Sequence, residues 1–98
     1  MLDSTQPAGV ITATPADHLA DDDIDAKIVD RAFHRLTDRL RLCVLTLQNG
    51  FTVTGESACA SPKNYRQDIG EKFAFENARE KVWLLEGYLL RQRMFERL

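Results

Sequence analysis

The sequence predicts a small α+β domain in the order helix, β-hairpin, long C-terminal helix (α-β-β-α). Apolar residues recur every three to four positions between Ile24 and Leu36. Two strand-like runs flank Asn49-Gly50, and no proline follows Pro62 on the way to Leu98. Ninety-eight residues suffice for one hydrophobic core, because a chain of this length cannot divide its apolar side chains between two.

Ile24, Ile28, Val29, Ala32, Phe33 and Leu36 make one helical stripe. Asp21-Asp22-Asp23 stands just before it, where a carboxylate accepts the unpaired N–H groups of a first turn and complements the positive end of the helix dipole. The first helix is therefore expected over residues 23–38. Ahead of it, residues 1–20 mix Ser, Thr, Gln, Gly, Ala and two prolines with few large apolar residues, and they read as a flexible acidic arm whose only apolar pair is Val10-Ile11. Residues 21–98 form the domain.

Residues 40–48 and 51–57 are rich in Leu, Val, Thr and Phe, and Asn-Gly between them is the preferred pair of a two-residue type I′ turn. That turn sets Val44 opposite Gly55 and Cys43 opposite Glu56, with Leu42, Val44, Phe51 and Val53 on one face and Cys43, Leu45 and Leu47 on the other. Both faces are partly apolar. A lone two-stranded ribbon is barely stable in water, so both are expected to be covered.

After Ser61-Pro62, or from Asn64, the pattern allows about 35 helical residues, roughly 50 Å at 1.5 Å per residue. That is long for this domain and suggests a bend at Gly87 or projection into a neighbouring subunit. Ile69, Phe73, Glu76, Glu80, Trp83, Gly87, Leu90 and Met94 form one seam of this helix, while Phe75, Ala78, Val82, Leu85 and Leu89 form a second. Two apolar faces on one helix point to a homo-oligomer.

Composition narrows the function classes. No apolar run approaches the ~20 residues that cross a bilayer, so no membrane is expected. The net charge of −2 conceals an acidic segment, residues 1–26, with six aspartates and no base, ahead of a remainder with thirteen bases and nine acids. The arginines of that remainder lack the aromatic interleaving of a nucleic-acid binder, and nucleic acid is disfavoured as a partner. Cys43 and Cys59 are too few for a disulfide framework, and with His18 and His34 they do not form a zinc-ligand pattern, so reduced thiols and no metal are expected. There is no phosphate-binding glycine loop, nucleophile elbow or HExxH motif, and therefore no sign of an enzyme or of a cofactor.

The one broken rule is Glu76 and Glu80 interrupting the seam between Phe73 and Trp83. Paired carboxylates beside an aromatic wall suit acid–base or metal chemistry, since burial and like charge both favour protonating one of them. The structural alternative pairs them with arginines such as Arg79, Arg35 or Arg39. Glu56 and Asn77 are further polar candidates at the helix–hairpin junction. Tyr88, Arg91 and Arg93 suit a small anionic ligand such as a nucleotide, because guanidinium forks match phosphates and aromatic rings stack on bases.

The segments VLTLQNGFTVTGESACASPKNY and IGEKFAFENAREKVWLLEGYLLRQR resemble a family of small tailed-bacteriophage and prophage proteins of the gene-product forty-nine / gene sixty-six type (phage N-four and Sf-six like). The resemblance covers residues 42–93. It implies a phage or prophage origin and transfers no catalytic residue, since the family has no settled activity. The resulting expectation is a non-enzymatic accessory protein of the host cytoplasm that binds a host protein in host takeover or counter-defence. An oligomer sequestering a small anionic ligand, such as a signal nucleotide, is the first alternative, and a nucleic-acid binder using the arginines is the second.

Overall fold

The computed structural model describes residues 18–98. Residues 1–17, and with them most of the arm including Val10-Ile11, lie outside the described residues. A short helix α1 (Asp21–Lys27) leads into strands β1 (Ile28–Arg35), β2 (Leu40–Leu47) and β3 (Thr52–Ala58). A 3-10 turn at Pro62–Asn64 precedes the long helix α2 (Gln67–Glu96). The strands form one antiparallel sheet in the order β1-β2-β3.

The first helix is shorter than its periodicity implies. It starts at Asp21, two residues before the expected Asp23, so the aspartates lie within its first turn, where the Asp23 carboxylate reaches back to accept from the Ala20 amide at 2.8 Å; Ile24 is fully buried, and the helix ends at Lys27. Residues 28–35 are a strand instead, because β2 has a second edge whose N–H and C=O groups need partners. The period-two pattern of β1 is disguised by arginines at two inward positions. Arg31 lies over the Phe75 ring at 4.3 Å and Arg35 over the Tyr65 ring at 3.8 Å, so cationic side chains fill places where apolar ones were sought.

The hairpin exists, with its register one residue away from the type I′ expectation. Leu45 faces Val53 and Cys43 faces Gly55. The turn is a three-residue one: the Gly50 amide donates to the Leu47 carbonyl at 2.9 Å, Gln48 and Asn49 are the central residues, and Gly50 follows at φ +89°. Asn49 Oδ1 accepts from the Phe51 amide at 3.0 Å. A one-residue shift exchanges every side chain between faces. Cys43, Leu45, Leu47 and Val53 thus share the buried face, and Leu42 and Val44 lie on the other with Thr46 and Thr54. No described element covers that second face.

Helix α2 begins later than either expected start. Ser61 caps the 3-10 turn, accepting from the Lys63 amide at 3.3 Å, and the α-helix proper starts at Gln67. It runs 30 residues and continues through Gly87 without interruption. Ala74, Ala78, Val82 and Glu86 are its buried positions, so Phe75, Val82, Leu85 and Ala78 of the second seam turn to the sheet. The first seam mostly faces away from it. α1 is tied to α2 by Arg79, which reaches Asp25 Oδ1 at 3.0 Å and Asp21 Oδ1 at 3.3 Å. Burial pulls the Arg79 pKa down, but the hydrogen bonds and charges of Asp25 and Asp21 outweigh it and hold it above its usual value.

The fit between helix and sheet is tightest at Gly55. A Cβ there would overlap the Ala78 amide nitrogen and the Ala74 carbonyl oxygen and would sit 2.8 Å from the Ala78 Cα. These are backbone atoms of a long helix and cannot move independently. Gly55→Ala is expected to destabilise the fold by at least about 2 kcal/mol in urea unfolding. Gly50→Val meets nothing within 4 Å, and its expected cost of about 1 kcal/mol comes only from the positive φ. Equal midpoints for the two variants would contradict this difference.

Both cysteines are free. Cys43 is fully buried opposite Gly55, and burial raises its pKa above the usual 9.0, partly countered by Arg31 and reinforced by Glu71. The unfolded chain therefore releases this proton first, and stability should fall as pH rises past 9.0. Cys59 is half-exposed, its thiol donating to the Ser61 carbonyl at 3.2 Å. A thiol reagent at neutral pH should modify one cysteine per folded chain, Cys59, and the second only on unfolding. Two equally reactive thiols would refute this placement.

Candidate functional site

The described residues offer two concave regions at opposite ends of the sheet. The first lies where β2, β3 and the start of α2 meet. Arg41 is a buried charged residue on the inner face of β2; its Nε donates to the Tyr65 hydroxyl at 2.7 Å and its Nη1 to Glu71 Oε2 at 2.7 Å. Those contacts fix Tyr65, on which Arg35 stacks. Beside Tyr65 is a cavity of about 150 Å³, walled by Cys59, Ile69, Gly70 and Phe73 and flanked by Arg39 and Arg66. Among the described residues the Arg39 guanidinium has one acidic neighbour, Asp38 at 3.8 Å, and Arg66 reaches Asp68 at 3.4 Å, both pairs well exposed. Exposed pairs of this kind are weak and readily exchanged. The Asp68 carboxyl is held below its usual pKa chiefly by the Ile69 amide, with Arg66 contributing. The region thus combines aromatic walls with two available guanidinium groups.

The second region is a groove of about 220 Å³ between the hairpin tip and α2, lined by Leu47, Phe51, Leu85, Tyr88 and Leu89, with Glu86 beneath them. Phe51 is 57% exposed and Tyr88 71%. The tip is held rigidly: the Gln48 amide donates to the Lys27 carbonyl at 2.9 Å and its side chain to the Ala26 carbonyl at 2.7 Å. Glu86 is only 7% exposed and has no ion pair among the described residues; Lys27 lines the adjoining hollow with it. The groove is apolar, open and built on a fixed turn.

The candidates named from sequence are spread over several surfaces. Asn77 and Glu56 meet at the junction as expected, through the backbone: Asn77 Nδ2 donates to the Glu56 carbonyl at 2.7 Å. Glu76 and Glu80 are exposed on the side of α2 away from the sheet and have no hydrogen bond or ion pair among the described residues. The expected arginine partners are engaged elsewhere. Arg79 is held by Asp21 and Asp25, Arg35 donates to the Asp38 carbonyl at 2.8 Å, and Arg39 lies near Asp38. Trp83 is half-buried and packs on the core cluster. Tyr88 lines the tip groove, while Arg91 and Arg93 are exposed on the last turns. Among the described residues no three His, Cys, Asp or Glu side chains converge.

Sequence reasoning missed the arginine–aromatic end and the role of Glu86. Arg31, Arg35 and Arg41 stand on one face of a strand pair, with Arg39 in the connection between the strands, but the signal appears only when residues 28–35 are read as a strand. Glu86 is an acid at the same four-residue spacing as Ala74, Ala78 and Val82, which marks it as inward-facing.

No helix among the described residues is long and apolar enough to cross a membrane. No curated protein and no solved structure matches the chain. Residues 19–94 match the Phage protein (N4 Gp49/phage Sf6 gene 66) family, a span that begins before α1 and so includes the N-terminal helix and β1 as well as the hairpin and α2. Since this match takes in about three quarters of the chain, the protein belongs to the phage protein family of the N4 Gp49/phage Sf6 gene 66 type.

Proposed function

We propose that this phage protein is a non-enzymatic accessory factor that acts in the host cytoplasm by binding a host protein at the groove between the hairpin tip and α2. The observation that carries the reading is the exposure of Phe51 and Tyr88 on either side of an apolar groove whose turn is held by hydrogen bonds. A rigid hollow rimmed by aromatic rings receives an apolar side chain of a partner at little ordering cost. The buried acid Glu86 beneath it favours a partner that carries a cationic group next to that side chain.

A second reading is favoured by the other end of the sheet. The cavity flanked by Arg39 and Arg66 and walled by Tyr65 and Phe73 suits a small anionic ligand, with guanidinium groups for the anion and rings for a planar body. Its arginines differ from Arg91 and Arg93, which are on the far turns of α2.

One purification separates the two. Tagged protein expressed in host cells should retain a specific host protein that Phe51→Asp loses and Arg39→Glu keeps. Recovery of an anionic metabolite that Arg39→Glu or Arg66→Glu releases, with no protein lost on Phe51→Asp, would replace the first reading with the second.

A further inference from the structure

Seen from the side away from the sheet, α2 presents Phe73, Glu76, Glu80, Leu84, Gly87, Arg91 and Phe95 in one stripe, at spacings of three and four that keep residues on a common helix face. Phe73 is 49% exposed, Leu84 74% and Phe95 61%. Large apolar residues concentrated on one helix face mark a surface built for contact.

The order of residue types identifies the partner. About Leu84 the stripe is self-complementary when reversed: Phe73 and Phe95 stand at equal distances on either side, Glu76 matches Arg91, and Glu80 matches Gly87, each to within one residue. Glu76 and Arg91 have no hydrogen bond or ion pair among the described residues, so this acid and this base await partners that the fold itself does not supply. Gly87 has nothing within 4 Å of a built Cβ, which leaves room for another helix to come close next to the centre of the stripe. Only an interface between identical surfaces related by a two-fold axis requires a stripe to complement its own reverse.

We propose that α2 pairs antiparallel with α2 of a second copy about a two-fold axis at Leu84. Phe73 then packs on the partner's Phe95, Glu76 meets the partner's Arg91, and both contacts occur twice. The pairing also accounts for the length of α2. Thirty residues extend about 45 Å, whereas strands of seven or eight residues cover about 26 Å. The hairpin tip ends beside Leu89, so the last turns reach past it and stretch the molecule to 55 × 29 × 20 Å. In the dimer those turns lie along the first half of the partner helix. Because Phe73 also walls the arginine-flanked cavity, the partner's Phe95 reaches its rim, and the cavity becomes a site shared between two chains.

Sedimentation equilibrium of the full chain should give twice 11.2 kDa at micromolar concentration. Glu76→Arg and Arg91→Glu should each weaken the dimer by about tenfold or more, and the double reversal should restore it. Both positions of this cycle are exposed, and circular dichroism verifies that each variant is folded. In a Cys59→Ser background, Leu84→Cys should form a disulfide-linked dimer on mild oxidation. Phe73→Cys should link only when mixed with Phe95→Cys. A monomer at 100 micromolar, a dimer indifferent to both charge reversals, or linking of Phe73→Cys to itself with none at Leu84→Cys would overturn the proposal.

Discussion

At Gly55 the backbone of α2 lies so close to β3 that one methyl group would collide with the Ala78 amide and the Ala74 carbonyl. Much of the remaining structure depends on that approach. It sets the rotation of α2, because the residues facing the sheet there must be alanines. It also sets the register of the hairpin, since Gly55 reaches the helix only if Cys43, Leu45 and Leu47 are on the same face. Had the hairpin adopted a two-residue turn, Gly55 would have paired with Val44 and pointed to the open face, and a larger side chain would have met Ala78. Turn and helix packing therefore select the same register from opposite ends of β3.

This dependence explains what could and could not be read in the sequence. The presence of α1, the hairpin and α2 follows from local signals: aspartates ahead of an apolar run, Asn49-Gly50 between strand formers, and a long stretch without proline. The register does not, because Asn-Gly also fits a three-residue turn with Gly50 alone in the left-handed region. The choice is made by Ala74 and Ala78, some twenty residues distant. β1 was hidden for a related reason. The stripe from Ile24 to Leu36 fits a helix locally, and only the unpaired edge of β2 draws residues 28–35 into the sheet, with Arg31 and Arg35 stacked on rings contributed by later segments.

The candidate sites show the same division. Asn77 and Glu56 were recognisable as junction residues, and the contact between them has a structural purpose. β3 is an edge strand, and the Asn77 amide occupies the Glu56 carbonyl that would otherwise be offered to another strand. The cavity at Tyr65 was not legible, because it is assembled from the ends of three elements and depends on Arg41 being buried in a place that composition reserves for apolar residues. Inward arginines are tolerated there because Tyr65, Glu71 and Phe75 provide them with rings and a carboxylate.

Glu76 and Glu80 stood out as polar intrusions in an apolar seam, and the rotation fixed at Gly55 changes what they intrude upon. Small Ala74 and Ala78 turn inward, so the bulkier seam faces outward and its acids lie in solvent rather than beside a buried wall. An acid in a buried seam calls for chemistry or for a compensating base within the fold. An acid in an outward seam calls for a base on whatever covers that seam. Arg91 satisfies this demand from the same helix only when the helix is reversed, and a reversed copy of α2 is what a two-fold partner presents. The close approach at Gly55 thus links the interior of one chain to the surface it offers a second: the residue that admits the helix to the sheet decides which side of the helix is left to be covered.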